Sequence, residues 1–240
     1  MEMEMQHQVM GYDRASTMFS PDGRILQVEY AEKTVRLGSA SIGLICEDGV
    51  LIISDKRVSD PLVVPESAVK IWEIDSHIIG SAAGILSDAR VLIERAQVIA
   101  QQHRVTYDEP VDVETIIKEI ANIKQAYTQY GGARPFGIEV MIAGVNSNNE
   151  CKLYVSDVTG NYIGYKATAI GENDERIKEI LRSEYRDGLN IEQGIKLALS
   201  VFKKVLGKNF NIARFEAAFV KKEDKKVRRI FSELLTKYSK

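Results

Sequence analysis

The chain has 240 residues, 45% of them hydrophobic and 28% charged, with a formal net charge of −2 at neutral pH. Such a length and composition suit a soluble globular protein able to bury a sizeable core, and so even a charge balance gives no general electrostatic reason to bind nucleic acid or anionic lipid. No apolar run approaches the roughly 20 residues needed to cross a bilayer, and the first residues lack the basic and apolar regions of a signal peptide, so the expectation is a cytoplasmic protein with no membrane partner.

Residues 1–10 are rich in Met, Glu and Gln without periodicity and read as a mobile tail. Ser20-Pro21-Asp22-Gly23 is a turn with Pro at its second place. Over 24–36 the spacing predicts a short, weakly amphipathic helix carrying Ile25, Leu26, Val28, Tyr30 and Val35 near one side, with Gly38 as its C-cap. Such a helix needs a neighbour. Residues 41–46 and 50–54 are Ile- and Val-rich runs that do not alternate, so they read as a hairpin covered on both faces. Glu47-Asp48-Gly49 is the expected turn, its glycine taking positive φ.

Asp60-Pro61 and Pro65-Glu66 mark a loop, followed by strands at 69–74 and 77–81 joined across Asp75-Ser76 and closed by Gly84. Ala89, Leu92, Ile93, Ala96, Ile99 and Ala100 predict a long helix that stops near Asp108-Glu109-Pro110. Asp112 caps a second helix whose core face is Val113, Ile116, Ile117, Ile120 and Tyr127, ending at Gly131-Gly132. Strands are expected over 137–145, 151–156 and 162–170, then helices over 173–185 and from Asn190, where Gln193 reaches back to the cap. A last hairpin, 212–220 with 227–230, precedes a short basic terminal helix.

Chemistry-bearing patterns are few. Cys46 and Cys151 lie far apart in predicted strands and read as buried reduced thiols. His7, His77 and His103 have no metal-binding spacing, and Gly207-Lys208 lacks the glycine and hydroxyl of a phosphate loop, so no metal or cofactor is expected. The mixed-sign run 221–226 reads as a solvated hairpin tip. No linker or repeat divides the chain, so 1–240 reads as one domain. Strands and helices come in blocks, which predicts an α+β fold: two mostly antiparallel sheets stacked face to face with helices outside.

Several motifs are recognisable together. Tyr12-Asp13-Arg14-Ala15, Phe19-Ser20-Pro21-Asp22-Gly23-Arg24 and Gln27-Val28-Glu29-Tyr30-Ala31 resemble the signature of proteasome α subunits of the archaeal type. Ser87-Asp88-Ala89-Arg90, Tyr127-Thr128-Gln129-Tyr130-Gly131-Gly132 with Arg134-Pro135-Phe136-Gly137, and Lys166-Ala167-Thr168-Ala169-Ile170-Gly171 extend the match. The resemblance implies the four-layer αββα sandwich of N-terminal-nucleophile hydrolases, and a non-catalytic subunit of the 20S core. Such a subunit would form a seven-membered ring with other α subunits, template the β ring, admit unfolded chains and accept the C-terminal tails of an activator ATPase.

It also implies site residues. Tyr12, Asp13, Arg14, Pro21 and Tyr30 would hold the base of a gating tail (1–10), while 11–37 packs within the ring and 38–240 forms the sandwich. Lys70 would meet the terminal carboxylate of an activator tail, Gly84 would leave room for its hydrophobic residue, and Glu29 would respond near Pro21. Tyr127 and Arg134 would contact a neighbouring subunit. The alternative from another class is a self-processing hydrolase cleaved at Gly38-Ser39, with Asp55 and Lys70 near the catalytic carboxylate and lysine positions. Against it, Ser39 stands where the catalytic branch has Thr, and its nitrogen is an amide rather than the free amine that serves as base. A small-molecule enzyme on the same fold lacks a convergent nucleophile and base. Three features depart from the pattern: the prolines of 60–65, Thr34 in place of a small apolar residue, and Met1, Met3 and Met5 as competing starts.

Overall fold

The computed structural model describes residues 10–58, 62–64 and 67–238. The tail 1–9, including His7, and most of the proline loop (59–61 and 65–66) lie outside the described residues. In chain order the elements are α1 (Leu26–Leu37), β1 (Ser41–Cys46), β2 (Gly49–Asp55), β3 (Ile71–Asp75), β4 (Ile78–Gly84), α2 (Leu86–Tyr107) and α3 (Val113–Tyr127). There follow β5 (Ile138–Val145), β6 (Cys151–Ser156), β7 (Tyr162–Gly164), β8 (Ala167–Ile170), α4 (Asp174–Glu184), α5 (Ile191–Leu206), β9 (Phe215–Lys221), β10 (Val227–Ile230) and α6 (Ser232–Leu235).

Two five-stranded sheets result, ordered β10-β9-β2-β1-β8 and β3-β4-β5-β6-β7, and every ladder is antiparallel. Three apolar clusters define four layers. Leu44, Leu51 and Phe215 on the first sheet pack beneath Ile195 and Phe202 of α5, and Ile78, Val140 and Ile142 on the second pack beneath Leu92 of α2 and Ile117 of α3. Val50, Ile52, Ile79, Met141 and Val220 fill the space between the sheets, with Val28 and Val35 of α1 closing one end. The doubly covered hairpin expected from unalternating apolar runs is therefore present: all seven residues of β2 are buried.

Several local expectations need correction. The run 162–170 is two strands in different sheets: Tyr165 N still donates to Leu153 O of the second sheet at 2.8 Å, while Lys166 O accepts from Ile45 N of the first at 2.8 Å. Gly49 belongs to β2 with ordinary φ. It is required because a Cβ there would overlap the Val220 carbonyl. Gly38 is the C-cap of α1 as expected, in an extended conformation, and its own Cβ would overlap the Gly84 amide. Helix α3 stops at Tyr127, ahead of the two glycines, and Asp112 precedes it without a side-chain cap. Asn146 supplies the cap from across the sheet, its Oδ1 accepting from Val113 N at 3.1 Å. The cap of α5 is as expected, with Asn190 and Gln193 bonded reciprocally. Among the described residues no helix is long and apolar enough to cross a membrane.

Candidate functional site

The site lies at the end of the sandwich closed by α1, where β1 begins and β2 ends. Thr34 fixes α1 there by donating to Ala31 O (2.8 Å) and Gly137 O (2.9 Å), so the departure at this position is a bond between helix and sheet. Gly38 follows, seated against Gly84, which itself has φ of 123° and no space for a Cβ beside Gly137 O. The Gly38 carbonyl accepts from Glu172 N at 2.8 Å and its amide donates to Val35 O at 2.9 Å. Gly38 is thus held at both its amide and its carbonyl.

Lys70, just ahead of β3, is 3% exposed. Its Nζ donates to Ser39 O at 2.6 Å and Ser39 Oγ at 2.5 Å. Glu216 Oε1 accepts from the amides of Lys70 (2.7 Å) and Ile71 (2.9 Å), which fixes the entry to β3. Asp55, 2% exposed, is forked by Arg214 at 3.1 and 2.5 Å and accepts from Arg57 N at 3.0 Å. Burial pushes the Lys70 ammonium down to about 8, with Asp55 and Glu216 working against that fall and Arg57 adding to it. Behind the lysine, Ser41, Ser54 and Ser81 bond one another at 2.8, 2.8 and 3.1 Å, and Ser81 Oγ donates to Lys70 O at 2.9 Å.

The structure therefore brings Ser39, Lys70 and Asp55 into one polar centre, as their positions suggested. Ser39 nitrogen is in peptide linkage, so this centre holds a hydroxyl and an ammonium without the α-amine that would take the proton. Glu216, Arg214 and the three serines escaped the sequence reading. Their signal was a carboxylate and hydroxyls inside apolar strands, where a polar group needs a partner.

The other expected residues fall into two groups. Around α1, Gln27 Nε2 donates to Asp13 O, Arg24 pairs with Glu29, and Lys33 lies 5.3 Å over the Tyr30 ring. The Pro21 turn is closed by Gly23 N to Ser20 O at 2.8 Å, and Tyr12 and Asp13 are half-buried while Arg14 and Pro21 are exposed. On the other side Arg134 forks Asp88 within the chain at 2.7 and 2.7 Å, and Gly137 N donates to Asp88 Oδ2 at 3.0 Å. Burial raises the Asp88 pKa, but the bonds from Arg134 and Gly137 outweigh it and hold the carboxyl below its usual range. Tyr127, 40% exposed, rests on Phe136 with ring centroids 4.6 Å apart. Among the described residues no group of three or more His, Cys, Asp or Glu side chains is placed to hold a metal.

Comparison with known proteins bears on this geometry. Residues 35–220 match the family model for proteasome subunits, and residues 12–33 match the model for the N-terminal signature of the A-type proteasome subunits. The chain is similar to the proteasome alpha subunit of Methanosarcina acetivorans, at 44% identity over 95% of this chain and 92% of that one. The Pyrococcus horikoshii protein of the same name is 43% identical over 95% and 86% of the two chains. For that of Methanocaldococcus jannaschii the figures are 47%, 80% and 74%.

Proposed function

The chain belongs to the family of proteasome α subunits, non-catalytic components of the 20S core that assemble with further α subunits and with β subunits, and on that premise we propose that it is the gate and docking platform of the outer ring. Residues 1–10 form the gate at the ring axis, 11–37 hold its base and pack α1 beside the next copy, and 38–240 carry the sandwich. One observation supports this reading most: Gly38 is pinned between Val35, Glu172 and Gly84, with the Lys70 ammonium on Ser39 beside it. A segment so anchored stays attached, which leaves the 38 residues before Ser39 available for gating.

Within the same reading, Tyr12, Asp13, Arg14, Pro21 and Tyr30 order the base of the tail. The bond from Gln27 to Asp13 ties that base to α1. An activator tail docks by exchanging its terminal carboxylate for Ser39 as the acceptor of Lys70, while Glu29 responds through its pair with Arg24 and the neighbouring Pro21 turn. Gly84, by letting Gly38 close upon it, sets where α1 ends beside Lys70. Tyr127 and Arg134 face a neighbouring subunit, and unfolded protein passes the ring on its way to the β subunits. Cys46 and Cys151 are both free thiols, in keeping with a reducing cytoplasm.

The test has two parts. Intact mass of the purified chain is expected to include the residues ahead of Ser39; a species starting at Ser39 with peptidase activity of its own would replace this reading with the self-processing hydrolase. Lys70→Ala is expected to abolish stimulation by an activator ATPase while rings still form on native mass spectrometry. Normal stimulation in that variant removes Lys70 from the docking site.

A further inference from the structure

At the end of the first sheet opposite Ser39, a cleft of about 400 Å³ opens between the start of α5, the outer side of β9 and β10, and the C-terminal turns. Its floor is apolar, made by Ile191, Ile195, Phe219, Ile230 and Leu234, and its rim is cationic, made by Lys221, Arg228, Arg229 and Lys237. Arg228 is paired with Asp224. Lys221, Arg229 and Lys237 have no ion-pair or side-chain hydrogen-bond partner among the described residues. Among the described residues two carboxylates line the cleft, Asp48, which accepts from Ile191 N at 2.8 Å, and Glu192 on the first turn of α5, so these three cations are in excess.

Part of this charge has a plain explanation. β10 is the outermost strand of its sheet, and charged side chains on an edge discourage pairing with another strand. Arg228 and Arg229 satisfy that need. Lys221 on β9 and Lys237 beyond α6 do not belong to the edge, yet they converge on the same apolar floor. Uncompensated cations at the lip of an apolar hollow attract an anion that also carries an apolar group, because the hollow lowers the dielectric around each charge-assisted hydrogen bond.

We propose that this cleft docks an acidic peptide segment of a partner protein, an apolar side chain entering the floor while flanking carboxylates meet Lys221, Arg229 and Lys237. The site is independent of the Lys70 centre, and nothing in the gating reading requires it. Nucleic acid and bare anions share the charge but not the apolar anchor, which makes them discriminating probes.

The full-length protein, as it assembles, is titrated into the fluorescein-labelled hexapeptide Glu-Leu-Glu-Phe-Glu-Leu and followed by anisotropy at low and high salt. Saturable binding is expected, weaker at high salt, and about tenfold weaker for the Arg229→Ala/Lys237→Ala double variant. The peptide Glu-Ser-Glu-Ser-Glu-Ser and an oligothymidylate of equal charge are expected not to compete. Absence of saturable binding, unchanged affinity in the double variant, or equal competition by either control overturns the proposal. So does binding to the unassembled chain that is lost on ring formation, since a second copy then covers the cleft.

Discussion

Lys70 and Lys124 are both cut off from water, the first 3% exposed and the second 0%, yet they occupy opposite kinds of surroundings. Lys70 has a carbonyl and a hydroxyl of Ser39 as acceptors, with the carboxylates of Asp55 and Glu216 close enough to oppose its loss of charge. Among the described residues Lys124, inside α3 against the second sheet, has one acceptor, Ser156 O at 3.0 Å. Burial pushes it down to about 7, against a smaller pull from Asp157 and Glu139. An ammonium brings three donors, and the penalty for burying it falls only as acceptors and counter-charges are provided. The first lysine is part of a built polar centre; the second is a charge on a core face.

The comparison breaks most visibly at Lys70. Lys70→Met leaves the Ser39 carbonyl and hydroxyl without their donor and removes a positive charge that acts on the buried carboxylates of Asp55 and Glu216. A loss of about 3 kcal/mol in unfolding free energy is expected, measured by denaturant titration of the purified chain near neutral pH. An unchanged midpoint would mean that the Lys70 contacts contribute nothing beyond what Arg214 gives Asp55 and what Lys56, with Nζ 4.0 Å from Glu216 Oε2, gives Glu216.

The opposite sign is expected at Lys124. Lys124→Met keeps the length of the side chain and removes the buried charge, so a gain of roughly 1–3 kcal/mol near pH 7 is expected. The pH dependence carries a sharper signature. With a folded-state pKa near 7 and an ordinary value of 10.5, the unfolded chain binds the extra proton across that window, so stability in the parent rises as pH climbs from about 7 toward 10. Lys70, held at about 8, contributes a rise of the same sign. Lys124→Met should flatten the lower part of the rise and leave the part due to Lys70. Glu139, which burial raises to about 7, acts in the reverse sense: the fold binds its proton between pH 4.5 and 7, and stability falls with pH there. Melts that show no difference in slope between parent and variant above pH 7 would place the Lys124 titration elsewhere.

These two lysines also show what was legible beforehand. The doubly apolar hairpin, the long α2 and the α5 cap could be read because each rests on local spacing, and local spacing is what a sequence displays. Lys70 could be placed by its motif context, but not its burial, because Ser39 and Glu216 reach it from 31 and 146 positions away. Lys124 was visible in principle: Val113, Ile117, Ile120 and Lys124 fall on one helical face, and all are buried. Its charge argued for the solvent side, and Tyr127, in fact 40% exposed, took its place on the expected core face. The crossing at Tyr165 and Lys166 had one weak local sign, Gly164 at the end of β7. The ladders on either side, to Leu153 and to Ile45, are what divide one apparent strand between two sheets.

The smallest effect completes the series. Lys166 pairs with Asp187 at 2.8 Å, but the two side chains are 69% and 71% exposed. Water competes for both charges, salt screens them, and holding two long side chains in one geometry costs entropy. Lys166→Ala in the purified chain is expected to shift unfolding by less than about 0.5 kcal/mol, although the bond is as short as many in the Lys70 centre. A loss approaching that of Lys70→Met would overturn the argument that surroundings, not the presence of a lysine bond, decide the magnitude. A shift that vanishes in high salt while the Lys70 and Lys124 effects persist would place the three lysines in order of their access to water.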